Sequence, residues 1–213
     1  MRISIRTPSP ATIVTPFKRA LLWLLVPTML ALPTLGAAEP RTYHIDPAHF
    51  SVSFSVDHVD YADVIGLFLE AEGEFVYDEQ RQTLASGSAT IQADSLFTNH
   101  QRRDEHVKDD DFLDVDRYPT IEFVADELTG VEDNRGTLTG NLTLLGETRP
   151  VTLDVRLNKA DRYPFGHEKH TLGISATTEL NRSEWGMDYA VDNGLVGDTV
   201  AVRLEFEAIR QPE

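Results

Sequence analysis

The sequence predicts an all-β domain, a barrel or sandwich of about eight or nine antiparallel strands with one short helical insert around 99–113. Three observations predict it. Phe50-Ser-Val-Ser-Phe-Ser-Val56 alternates apolar and hydroxyl side chains without a fault, the period of two that gives a strand one dry face and one wet face. The same period returns along the chain between Gly, Asn and Asp turn signals. One stretch, Thr98–Asp109, has no alternation and is strongly polar.

Taken in order, the chain opens on a segment of different character. Residues 1–38 carry Arg2, Arg6, Lys18 and Arg19 and no acid. The apolar run Ala20–Leu35 follows, then Gly36-Ala37-Ala38. A basic start, a short apolar run and a small-residue exit predict a secretory signal peptide over 1–38, cleaved after Ala38. Pro27 and Pro33 interrupt the run, which is short for a membrane span of roughly 20 residues. Export places the mature domain, 39–213, in the periplasm.

The strand segments come next. Thr42–Ile45 reads as a short separate element before Phe50–Val56. Val64–Tyr77 is long and broken at Gly66 and Gly73, which mark bends or bulges within one strand or between two. Leu84–Ala93, Thr120–Thr129, Gly136–Leu145, Val151–Asn158, Thr171–Leu180 and Thr199–Arg210 complete the set. Asp133-Asn134-Arg135-Gly136 and Gly146-Glu147 read as tight turns, the second with Gly supplying the positive φ. In the insert, Thr98 or Asn99 caps a helix of about ten residues that Phe112 and Leu113 tether.

Composition excludes several functions. The 213 residues hold 19 Lys+Arg against 35 Asp+Glu, a formal charge of −16, which argues against nucleic acid as a partner. No cysteine is present, so a disulfide scaffold, a Cys nucleophile and a thiolate metal site are ruled out. There is no Gly-x-Ser-x-Gly elbow. His167-Glu-Lys-His170 lacks the spacing of a zinc-protease helix, and Asp109-Asp-Asp111 lacks the alternation of a calcium loop. His44, His49 and His58 are dispersed, with at most one at a mouth. No catalytic residue, metal ligand or cofactor is therefore expected.

The run Thr98-Asn-His-x-x-Arg-Asp-x-His-Val-Lys-x-x-Asp-Phe-Leu-Asp-x-x-x-Tyr-Pro119-Thr-Ile-x-Phe123 resembles the signature of the YceI-like family of exported polyisoprenoid-binding proteins. Tyr43-x-Ile-Asp-Pro-x-His49-x-x-Val-x-Phe54 is similar to that family's opening strands, Leu138–Pro150 to its central hairpin, and Asn181-Arg-Ser-x-Trp-Gly-Met187 to its late loop. The resemblance implies a lipocalin-like, extended eight-stranded antiparallel barrel that holds an isoprenoid tail in an apolar lumen. Ala71, where relatives often carry an aromatic, and Trp185, where many have Phe, depart from the pattern and bear on lumen width.

Alternation supplies the candidate lumen: Phe50, Val52, Phe54, Val56, Phe68, Phe75, Ile121, Phe123, Leu142, Leu144, Leu153, Val155, Ile174, Leu204 and Phe206, with Trp185 and Met187 from the late loop. Such stripes also make ordinary packed cores, and the pattern alone does not separate a full barrel from a hollow one. Asn99, His100, Arg103 and His106 are the candidate headgroup contacts at the mouth, the alternative being a solvated helix face. The expected function is a carrier or reservoir for an isoprenoid lipid or quinone, without catalysis and with transient membrane contact, as monomer or homodimer. The alternative is a periplasmic enzyme or stress-response factor acting on such lipids or on small molecules in the same pocket.

Overall fold

The structure is a computed structural model and describes residues 39–212; the signal peptide expected over 1–38 lies outside them. Ten strands form in chain order: β1 (Arg41–His58), β2 (Ala62–Phe68), β3 (Ala71–Asp78), β4 (Thr83–Gln92), β5 (Leu96–Phe97), β6 (Thr120–Glu132), β7 (Arg135–Leu144), β8 (Glu147–Arg162), β9 (His170–Asn181) and β10 (Val196–Arg210). One α-helix among the described residues, α1 (Gln101–Lys108), lies between β5 and β6.

Eight strands close a ring in the order β1-β3-β4-β6-β7-β8-β9-β10, with β10 returning to β1 in antiparallel register. This is the expected eight-stranded antiparallel barrel, and closure removes the ring's free edges. β2 and β5 are additions. Along one edge β1 serves β3 through Arg41–His44 and then β2 through Val52–His58, and β5 pairs onto β2 at Leu67↔Phe97.

Three local expectations are corrected. Thr42–Ile45 is not separate, because it and Phe50–Val56 are parts of β1, bent by a bulge. Ile45 pairs with Ala208 and Phe50 with Phe206, so residues 46–49 face Glu207 alone. The Val64–Tyr77 segment breaks at Leu69-Glu70 rather than at either glycine. There Ser95 Oγ accepts from both backbone N–H groups, at 3.1 Å each. Gly66 instead makes room for the Phe54 ring opposite it. The second tight turn is Leu145-Gly146, φ 51° and 75°, a type I′ geometry like that of Asp133-Asn134, φ 48° and 62°. Leu145 tolerates this unfavourable backbone while packing on the core.

The helix is also shorter than expected, at eight residues, and its N-cap is His100, whose Nδ1 accepts from the Arg103 N–H at 3.4 Å. Thr98 cannot cap because its N–H and Oγ1 both donate to Asp104 Oδ1, at 2.7 and 2.5 Å. Asn99 sits at φ 62° and does not cap either. Phe112 and Leu113 are buried just beyond the helix, as the tether requires.

Candidate functional site

Inward-facing alternate residues from all eight ring strands leave two cavities along the barrel axis. The larger, about 450 Å³, lies in the half beneath α1; the smaller, about 190 Å³, lies in the other half. Six side chains, Val52, Ala89, Ile91, Phe123, Leu153 and Leu204, line both and form a waist between them. The far end is closed. There Tyr43, Leu172 and Ala208 are fully buried with Tyr77, and Phe75 stacks on Tyr43 with ring centroids 5.3 Å apart. The Tyr43 hydroxyl donates to Glu79 at 2.5 Å, and the other Glu79 oxygen meets His170 Nε2 at 3.0 Å. Burial and the neighbouring carboxylate push the Tyr43 hydroxyl well above the ordinary tyrosine range, so it stays a donor.

Every candidate lumen residue, from the alternating strands and from the late loop, borders one of these cavities. Phe54, Val56, Phe68, Ile121, Leu142, Leu144, Trp185 and Met187 line the larger, Phe50, Phe75, Val155, Ile174 and Phe206 the smaller, and Val52, Phe123, Leu153 and Leu204 both. Trp185 is 3% exposed and its Nε1–H donates to the Leu142 carbonyl at 3.2 Å, so the indole is fixed in the wall.

The mouth residues divide. Arg103 and His106 line the larger cavity, whereas Asn99 and His100 are exposed and do not. Helix periodicity explains the split, since residues 103 and 106 are three apart and share a face, while 99 and 100 precede the first turn. Arg103 is held by Nε–H to Thr98 Oγ1 at 2.8 Å and Nη2–H to the Thr98 carbonyl at 2.7 Å. His106 packs edge-on against Phe112 and Tyr189, at 5.2 and 5.4 Å, and those two rings meet at 5.2 Å. All three rings border the larger cavity.

The alternation pattern did not single out Arg182, which is 3% exposed and also borders that cavity. Its Nε–H donates to the Gly197 carbonyl at 2.8 Å, Nη1–H to Met187 at 2.8 Å, and Nη2–H to Tyr189 at 2.9 Å and Val196 at 3.1 Å. Its carbon Cζ stands 5.6 Å from the Phe112 ring centre. One guanidinium thus ties the loop after β9 to the start of β10 and to the tether of α1. Burial lowers its pKa, while Asp198 and Asp188 act the other way. No spacing rule marks a buried Arg in a polar Asn-Arg-Ser turn, so the sequence reads it as surface.

The two metal candidates come apart. His167 Nδ1 accepts from Lys169 N–H at 3.0 Å, while His170 turns away to Glu79. Asp109 ends α1, and Asp111 meets His106 Nε2 at 3.0 Å. Chemically, the arrangement offers a dry slot for hydrocarbon, closed at one end, with donors and aromatic faces gathered at the other.

Residues 43–208 match the YceI-like domain model. A UPF0312 protein of Pseudomonas putida is 32% identical over 183 residues, covering 85% of this chain and 93% of that protein. The crystal structure of Burkholderia cenocepacia BcnA superimposes with a TM-score of 0.68 at 20% identity, covering 76% of this chain and 98% of that one. A polyisoprenoid binding domain from Saccharophagus degradans, implicated in plant cell wall breakdown, superimposes with a TM-score of 0.58 at 13% identity, covering 79% and 98%.

Proposed function

We propose that this chain, which belongs to the YceI-like family, is an exported carrier or reservoir that holds one isoprenoid lipid in its lumen and performs no covalent chemistry on it. The observation that carries this reading is the pair of mainly apolar cavities in line, capped at the Tyr43 end by a buried cluster and bordered at the α1 end by Arg103, His106 and Arg182. A tail would enter past α1, pass the Phe123–Leu204 waist and stop at Tyr43.

Energetics favour a shuttle over a sink. Burying hydrocarbon yields roughly 0.8 kcal/mol per CH₂ taken from water, so a long polyprenyl chain nominally exceeds the practical affinity ceiling of about −20 kcal/mol. The competing site for such a lipid is a bilayer, as apolar as the lumen, and the net transfer free energy is small. Loading and unloading at membranes follows. The outer face of the β2–β5 flap suits such contact, because Ile65, Leu69 and Phe97 are exposed there while Val64, Phe68 and Leu96 line the cavity on the inside.

At the mouth, a quinone ring fits better than a phosphate. His106, Phe112 and Tyr189 offer aromatic faces, and Arg103 offers an Nη1–H to a carbonyl. A phosphate dianion would need several convergent donors, yet the guanidinium of Arg182 is already committed to four carbonyls. The test is to purify the mature protein from its native host, extract with organic solvent and analyse the extract by mass spectrometry. One long-chain isoprenoid, with a quinone head, per chain supports the reading. An empty barrel that turns over an added substrate supports the enzyme instead.

A further inference from the structure

The bulge in β1 has a second consequence, independent of the lipid reading. Because residues 46–49 face Glu207 alone, the chain there folds Asp46 and His49 back against that glutamate. Asp46 Oδ1 is taken by the Ala48 N–H at 2.9 Å, which leaves Oδ2 2.8 Å from His49 Nδ1. The same nitrogen lies 3.7 Å from Glu207 Oε2. One ligand atom from each of the three residues falls within 4.8 Å of the others.

A further observation points to a ligand. Glu207 Oε2 is closed off from solvent and lacks a hydrogen bond of ordinary geometry, although the side chain as a whole is 32% exposed and the Tyr163 hydroxyl is a neighbouring donor. A carboxylate oxygen in that state is costly unless something positive approaches it. The His49 Nδ1 nearest to it, at 3.7 Å, is directed to Asp46 and lies beyond hydrogen-bond distance of Oε2. Tyr163, on the loop between β8 and β9, lies with its ring centre 6.2 Å from that of His49 and 4.6 Å from that of His167, tilted to both.

The geometry points to a binding site for one divalent transition-metal ion of the zinc type, held by Asp46, His49 and Glu207 on the outer wall of the barrel. Ligand atoms at about 2.1 Å in a tetrahedron lie roughly 3.4 Å apart. The separations from His49 Nδ1 to Asp46 and to Glu207, 2.8 and 3.7 Å, bracket that spacing, and all three ligand atoms lie within 4.8 Å of one another. One imidazole and two carboxylates suit zinc, manganese or iron better than magnesium, which demands near-octahedral oxygen coordination. Three protein ligands leave a position for water or for the nearby Tyr163 oxygen. The ion would clamp the bulge of β1 to β10. The sequence hides the site because Glu207 is 158 residues from His49 and the intervening motif has no metal spacing.

The experiment is calorimetric titration of the metal-stripped mature protein with ZnCl₂, with MgCl₂ as control. We expect one Zn²⁺ per chain, no comparable Mg²⁺ binding, and at least about tenfold weaker binding in His49→Ala and in Glu207→Gln. His44→Ala, which removes the separate His44–Glu74 pair, is expected to bind as wild type. Saturating Zn²⁺ is expected to raise the melting midpoint by about 5 °C or more, an effect lost in His49→Ala. Because His49 is half exposed, its variant should fold, which circular dichroism checks. Absence of saturable heat up to about 1 mM Zn²⁺, or an affinity unchanged in both His49→Ala and Glu207→Gln, overturns the assignment.

Discussion

Gly66→Ala asks directly whether the barrel is hollow. Gly66 faces Phe54 across the β1–β2 pair, and a Cβ there would lie 2.2, 2.4 and 3.1 Å from Cζ, Cε1 and Cε2 of that ring. Ordinary carbon contact is about 3.5–4.0 Å, so the ring must retreat by more than ~1 Å. Its neighbour is Phe68, centroids 5.8 Å apart, and behind both lies the larger cavity. Overpacking a filled core costs about 1–3 kcal/mol, and replacing a strand glycine by alanine returns about 0.5–1 kcal/mol. With open space to move into, the net cost should be near ~1 kcal/mol, or about 2–4 °C of melting temperature. The displaced ring takes the room of one or two CH₂ groups, at ~0.8 kcal/mol each, so a bound tail should weaken by roughly 4- to 15-fold. Thermal melting and quinone titration read the two effects. Trp185 reports the second cleanly, since the only other tryptophan is Trp23, in the expected leader. A loss above about 10 °C with unchanged quinone affinity would refute the reasoning, because it would mean the ring has nowhere to go.

Three further outcomes follow from the same structure. Gly140→Ala should cost at least ~2 kcal/mol more than Gly66→Ala in urea unfolding, because its Cβ would meet the Val124 carbonyl at 2.5 Å as well as Phe123, and backbone cannot swing aside. Arg182→Ala should cost about 3–5 kcal/mol and lower the melting midpoint by about 10 °C, since it orphans four carbonyls at once; Arg182→Lys should recover little, lacking the fork. The Asp78 carboxyl is held below the usual range by the Arg81 N–H, the Arg81 guanidinium and the Gln80 N–H, so its contribution is present above the unfolded value near ~3.9 and lost as pH falls through the folded one. Asp78→Asn should flatten the fall in urea midpoint between about pH 5 and pH 2, and an unchanged slope would remove Asp78 from the account.

The parts legible in the sequence are those set by period and by local steric rules. Phe50 to Val56 alternate, and every second residue does face the lumen, because a β-strand leaves no other choice once one face is apolar. The helix over the mouth was legible as a group of polar residues, Asn99, His100, Arg103 and His106, but not which of them face inward, because a stripe polar on every side marks no face. Only Arg103 and His106 border the cavity. What was not legible depends on partners remote in sequence. Leu145 occupies a left-handed position because core packing outweighs backbone preference. The break at Leu69-Glu70 is made by Ser95, 26 and 25 residues away. Arg182 is buried because four carbonyls from a loop and from β10 converge on it, and no property of Asn181-Arg-Ser183 reports that. The hollowness of the barrel is likewise a matter of volumes left between side chains, which alternation does not encode.

The central claim is that one slender hydrocarbon guest fits inside the wall that Trp185 helps form. Titrating lipid-stripped mature protein with an isoprenoid quinone, read by Trp185 emission, tests it most directly. The account predicts quenching that saturates at one quinone per chain and competition by a tail lacking the quinone ring. Quenching that rises without saturation, or that is the same in urea-unfolded protein, would contradict it.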